Sequence, residues 1–183
     1  MAEQDVVDLL TAQHEQIATL LEQLKSEREN QEELFTELVR LLAIHESAEE
    51  EVVHPIAKRA RFGAEEVVDA RLEEESHAKR ALAQLYDLGV HHPNFQAELA
   101  DFADAVADHA AHEEAEEFVL LRRQYSATQL QHMAGSVRAA EAVAPTRPHP
   151  HTGSSGAANL IAGPPLAVFD RVRDAVRDWR TQG

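Results

Sequence analysis

His45 and Glu49 stand four residues apart, and so do His109 and Glu113. On a helix that spacing puts imidazole and carboxylate on one face, about 6 Å apart at Cβ, where both can converge on a cation. Two further histidines, His14 and His77, sit alone in helix-forming sequence. Neutral imidazole and ionised carboxylate suit iron, manganese, zinc or cobalt, so the chemistry on offer is metal binding through nitrogen and oxygen donors. The chain has no cysteine, which removes disulfides, iron–sulfur clusters, zinc-thiolate sites and thiol nucleophiles together.

The segments that carry these residues read as helices. Val7, Leu10, Ile17, Leu21 and Leu24 form an apolar stripe at steps of three and four, and His14 lies on it. A second helix, from about 31 to 60, repeats the stripe with Leu34, Leu38, Leu41, Val52 and Ile56, with His45 and Glu49 in the same phase. Gly63 punctuates the chain, a third helix runs to about Leu88, and a turn at 89–94 precedes a fourth from about Phe95 to Gln124. Its stripe is Phe95, Leu99, Phe102, Val106, His109 and Glu113. A short fifth helix spans about Ala127 to Val143, and residues 145–165, rich in Pro, Gly, Ser and His, read as a linker. Pro165 then opens an amphipathic helix with Val168, Val172, Val176 and Trp179, an apolar edge for the bundle, a second subunit or a partner protein.

The predicted fold is all-α: an up-down four-helix bundle with a short fifth helix over residues 1–144, and a tail of 145–183 carrying the last helix. Seven Gly and seven Pro in 183 residues favour helix over sheet. The net charge of −16 opposes binding to nucleic-acid phosphates or an anionic membrane. Met1-Ala2-Glu3-Gln4-Asp5 has no basic region and apolar run of the signal-peptide kind, and no stretch is long enough to span a bilayer. The expected location is the cytoplasm.

The two halves resemble each other. His45-Glu46-Ser47-Ala48-Glu49-Glu50 matches His109-Ala110-Ala111-His112-Glu113-Glu114 at an offset of 64, and His14 and His77 are 63 apart. At roughly 1.5 Å per residue, His14 and His45 each lie about 21 Å from the first turn, and His77 and His109 reach the same layer within about one helical turn. Four imidazoles and two carboxylates that each bridge provide about eight donor bonds, enough for two octahedral metal ions with positions left for small ligands.

This ordered set resembles the hemerythrin family: a lone His on helix one, His-x-x-x-Glu on helix two, a lone His on helix three, His-x-x-x-Glu on helix four, over about residues 5–143. The resemblance implies an oxo-bridged pair of iron ions, with His14, His45, His77 and His109 as terminal ligands and Glu49 and Glu113 as bridges. Oxygen-carrying members have a second His four residues from the first on helix three, whereas Glu73 and Ala81 flank His77 at that distance. The likeness is therefore to bacterial hemerythrin-like proteins, which implies reaction with hydrogen peroxide or dioxygen, catalase-like or in redox stress. The alternative it leaves is a non-enzymatic oxygen or iron sensor signalling through a partner.

Several residues have second readings. His112 and Glu116 repeat the spacing one turn along helix four, and Glu46 and Glu74 are candidates for extra terminal carboxylates. His54, nine residues past His45, falls about half a turn round an ideal helix, outside the ligand set. His91, His92, His149 and His151 lie in turn or linker sequence and are expected in solvent. A ferritin-like reading through Glu51-x-x-His54 and Glu74-x-x-His77 puts its two histidines at levels about 7 Å apart, which disfavours it.

Overall fold

The computed structural model describes residues 4–59, 64–143 and 167–174. These are almost entirely helical, without a strand among them. Helix α1 spans Val6–Ser26, and Asp5 caps it by accepting from the Asp8 N–H at 3.0 Å in a reciprocal capping box. Helix α2 spans Gln31–Ala48, continues through a π-helical segment, π1, at Glu49–Val53, and ends in the single turn α3, His54–Ala57. Helix α4 spans Ala64–Leu88 and stops at Gly89, whose φ of 83° suits a residue without Cβ. Helix α5, Phe95–His112, likewise passes through a π segment, π2, at Glu113–Glu117 into α6, Phe118–Gln124. Helix α7 covers Ala127–Val143.

Four rods thus form the bundle, and α7 lies against α1 and α2 at one end. None of the described helices is long and apolar enough to cross a membrane. The predicted second helix is one rod with a π interruption, described as far as residue 59. The predicted linker at 145–165, and Val176 and Trp179, lie outside the described residues.

The core falls into two parts. Toward the α1–α2 turn, Ile17, Leu21, Leu24, Phe35, Leu38, Leu42, Leu82, Leu85, Phe95, Leu99 and Phe102 pack together. At the other end Val6, Leu10, Val52, Val53, Val68, Phe118, Leu121, Leu130 and Val137 form a second cluster that uses α7 as its lid. Residues 167–174 are helical and bury Val168, Phe169 and Val172 in the first cluster, so the apolar edge of the tail helix covers the bundle itself. Between the clusters every rod turns polar in its buried positions: Gln13 and His14, then His45 to Ser47 and Glu49, then Arg71 and Glu75, then His109, Glu113 and Glu117. Buried charge is tolerated only when paired or coordinating, so this layer is where function has to be sought.

Candidate metal centre

Three imidazoles face the centre of the polar layer through Nε2. Each uses its other nitrogen on an outer partner: His14 Nδ1 with Glu114 Oε1 at 2.8 Å, His45 Nδ1 with Gln13 Oε1 at 2.7 Å, His109 Nδ1 with Glu74 Oε2 at 3.1 Å. The outer partners fix ring orientation and leave the inner nitrogens of His45 and His109 without a hydrogen bond, as metal-binding histidines require, whereas His14 Nε2 also hydrogen-bonds Glu113 and the two carboxylates raise its pKa. His14 Nε2 lies 3.2 Å from Glu113, His45 Nε2 3.2 Å from Glu49, and His109 Nε2 3.5 Å from Glu113.

Donor atoms of His14, His45, Glu49 and Glu113 all come within 4.8 Å of one another, and so do those of Glu49, Glu75, His109 and Glu113. Glu49 and Glu113 belong to both sets. A third set joins His54, Glu113 and Glu117. Both carboxylate oxygens of Glu49, Glu113 Oε1, Glu117 Oε2 and the inner nitrogens of His45 and His109 are buried without a hydrogen bond. Unpartnered buried acceptors of this kind are costly to leave unsatisfied, and cations held by the two sets that share Glu49 and Glu113 would satisfy those of His45, His109, Glu49 and Glu113.

The electrostatics point the same way. Burial, compounded by Glu113, Glu75, Glu117 and Glu46, pushes the Glu49 carboxyl well above the usual range. Burial and the neighbouring histidines hold His45 well below its ordinary value. Burial also works to raise Glu113, but the hydrogen bond from His14 and the charges of His109, His14 and His54 prevail and lower it. Glu46, buried beside Lys79 at 3.0 Å, is pushed up to about 8, chiefly by burial.

His77 is exposed on α4 and belongs to none of these sets, contrary to the sequence expectation. The 64-residue offset that relates Glu49 to Glu113 carries His14 onto Ala78, and one residue is about 100° of helix rotation. The inward residue of α4 is Glu75, in phase with Val68, Leu72, Ala78, Leu82 and Leu85. That stripe is visible in the sequence; the near-match of 63 concealed it.

His54 also departs from expectation, being buried between Glu117 Oε1 on Nδ1 at 2.8 Å and Glu75 Oε1 on Nε2 at 2.6 Å. The π turn is the cause. It absorbs one extra residue, so nine residues advance the phase as about eight would, and His54 swings from the far side to the core. Burial lowers its pKa, yet the two carboxylates outweigh this and push it up to about 10. On the rod formed by α5 and π2 the structure buries His109 and Glu113, while His112 and Glu116 have side chains about half exposed, at 51% and 52%. Glu46 pairs with Lys79, and Glu74 bridges His109 and His112 from outside the sets. His91 and His92 are exposed; His149 and His151 lie outside the described residues.

These shifts give a pH dependence with a definite sign. Between about pH 6.5 and about 8 an unfolded chain has released its Glu and His protons, while the metal-free native state retains them more strongly on His14, Glu46, Glu49 and His54. His45 and Glu113, with lowered values, are deprotonated in both states over that window. The native state therefore binds more protons, and stability falls as pH rises. Metal binding has the opposite sign, because ligands must lose protons to coordinate. The unfolding midpoint of chelator-treated protein is expected to drop across this window and that of metal-saturated protein to hold or rise. Parallel curves would contradict the account.

Comparison with known proteins adds the following. A sequence model of the Hemerythrin HHE cation binding domain matches residues 5–121. A DNA nickase of Nostoc sp. is 28% identical over 139 residues, 75% of this chain but 39% of the nickase. An uncharacterized hemerythrin-like protein of Schizosaccharomyces pombe is 26% identical over 139 residues, covering 75% of this chain and 68% of that one. Among solved structures, a hemerythrin HHE cation-binding domain-containing protein of Mycobacterium kansasii superposes with a TM-score of 0.67 at 20% identity, over 74% of this chain and 84% of that one.

Proposed function

The chain belongs to the hemerythrin HHE cation-binding domain family, and on that premise we propose that its polar layer holds two iron ions and reacts with hydrogen peroxide or dioxygen. One observation carries the proposal: Glu49 and Glu113 are shared by two overlapping donor sets. His14 and His45 would complete one position, His109 and Glu75 the other. Four buried carboxylates, Glu49, Glu75, Glu113 and Glu117, offset most of the charge of about two divalent ions and of the His54 imidazolium held between two of them. The irons would supply electron transfer to and from the oxygen substrate.

The protein's own part is to hold and screen them. Gln13, Glu114 and Glu74 orient the three imidazoles, and the apolar clusters on either side keep the layer dry. Outside the sets, Lys79 ties Glu46, Glu50 and Glu75 to one cation and steadies Glu75. A net charge of −16 argues against extending the nickase's DNA to this chain, and a cytoplasmic location suits the reading.

Metal content and the visible spectrum of protein purified without chelator, followed by oxygen release on adding hydrogen peroxide, test this directly. About two irons per chain with rapid oxygen release would support a catalase-like enzyme. No metal in any preparation or on reconstitution would overturn the reading. About two irons with little turnover would favour the second reading, a sensor. One contact favours that alternative: residues 167–174 reach the site's surroundings through Phe169 under Lys79, 5.4 Å from the ring centre, and Arg173 at 3.8 Å from Glu50.

The ligand assignment separates α4's two candidates. His77→Ala is expected to leave metal content unchanged and stability within about 0.5 kcal/mol. Glu75→Ala should lose about half the metal, since Glu75 serves one position of the pair. Elemental analysis of the two variants side by side decides between them, and the reverse pattern would restore His77 as the ligand.

A further inference from the structure

Where the polar layer ends, a cavity of about 230 Å³ begins. Its inner end is formed by His14, His45 and His109, the three imidazoles whose other nitrogens are held by outer partners. Its walls are apolar: Ile17, Leu21, Leu42, Ala78, Ala103 and Val106. It opens between α1 and α5, where Ala18, Glu22, Asp104 and Ala107 are exposed. The space exists because α5 presents alanine at 103, 107 and 110 while Ala18 and Ala78 face it from α1 and α4, so no side chain reaches across.

The size does not match the smallest oxygen substrates. A water molecule, comparable to half of hydrogen peroxide, needs only about 10–15 Å³ of such space, so peroxide or dioxygen would leave most of this cavity empty. Water at the apolar stretch formed by Ile17, Leu21, Leu42, Ala78, Ala103 and Val106 finds few hydrogen-bond partners, so an apolar body displaces it at little cost. The three imidazoles and Glu46 stand at the inner end and Glu22, Lys25 and Asp104 at the mouth, with an apolar stretch between them, the arrangement of a site that binds an apolar body and orients one head group. Glu22 and Asp104 against Lys25 leave the mouth net negative, which disfavours an anionic ligand such as a carboxylate.

We propose that this cavity binds the apolar body of a neutral organic ligand and points its oxygen-bearing head at His14, His45 and His109. The class it fits is an alkyl or aryl hydroperoxide, or a neutral alcohol of the same shape. The identification of the head group rests on the metal-centre reading above; the binding of the apolar body rests on the cavity alone.

The test uses 2-phenyl-2-propanol, an unreactive alcohol of this shape, titrated calorimetrically into the full-length chain with and without metal. One saturable site is expected in both forms. Ala107→Leu, at the exposed mouth, and Ala103→Leu, inside, should each weaken binding by at least about tenfold with helical content and metal per chain unchanged. Because Ala107 is exposed, its variant keeps the core intact and remains informative if the Ala103 variant fails to fold. Absence of saturable binding in both forms of the wild type, or equal binding by the folded Ala107 variant, would overturn the proposal. Metal content is read on the same samples. Metal without alcohol binding removes the cavity proposal and leaves the metal centre; alcohol binding without metal under any condition does the reverse.

Discussion

Glu49→Gln is expected to abolish metal binding and, in the same stroke, to stabilise the metal-free protein. Glu49 is completely buried, has no hydrogen bond to either oxygen, and is repelled by four other glutamates. In the metal-free state its ionisation is opposed on every side, so at pH 8 the folded protein bears a strain that an amide does not impose. The gain should be on the order of 1–3 kcal/mol, because an amide is neutral without holding a proton that the unfolded chain has released, and each unit of pKa displacement is worth about 1.4 kcal/mol. Since Glu49 serves both donor sets, iron per chain should fall from about two to near zero rather than by half. Most substitutions in a protein core destabilise, so the combination of lost metal and raised metal-free melting temperature is diagnostic. A variant that binds both metals, or whose metal-free form melts below the metal-free wild type, would show that Glu49 is satisfied in some other way.

Removing the metal should cost the wild type much of what Glu49→Gln restores. A ligand that binds only the native state stabilises by about 2.7 kcal/mol at one hundred times its dissociation constant. For a chain of this length that corresponds to a fall of roughly 5–11 °C in Tm on chelation. The loss should concentrate in the layer itself, because the apolar clusters on either side do not touch the metal. Hydrogen exchange would then show faster opening in π1 and π2 than in the outer turns of α1 and α5. An unchanged Tm after verified metal removal would mean that the polar layer is self-sufficient without a cation.

Periodicity carried the fold. The stripes of α1, α2 and α5 placed His14, His45 and His109 in the buried layer, because each stripe is unbroken up to its histidine and phase errors do not accumulate. The second half of each site-bearing rod was not legible. Nothing in Glu49–Val53 or Glu113–Glu117 announces a π turn, and a single extra residue rotates all that follows by about 100°. His54 and Glu117 were lost for that reason, although they pair with each other in the core. Glu75 was lost differently: its own stripe was complete, but histidine is the more conspicuous ligand, and a repeat of 63 was accepted beside one of 64. Pairing of buried Gln13, half-buried Glu74 and exposed Glu114 with the imidazoles involves contacts between rods, which one-dimensional phase does not encode.

The two π turns also carry a record of ancestry. They begin at Glu49 and Glu113, 64 residues apart, so the inserted residue is most simply explained as acquired once, in a single hairpin that later doubled. Two copies meeting face to face about a twofold axis would have brought equivalent glutamates together and made a shared, symmetric cradle before any one chain contained it. His54, Glu75 and Glu117 fit the later chapter. Their counterparts at the same offset are Phe118, Thr11 and Val53, so at these three positions the halves have diverged.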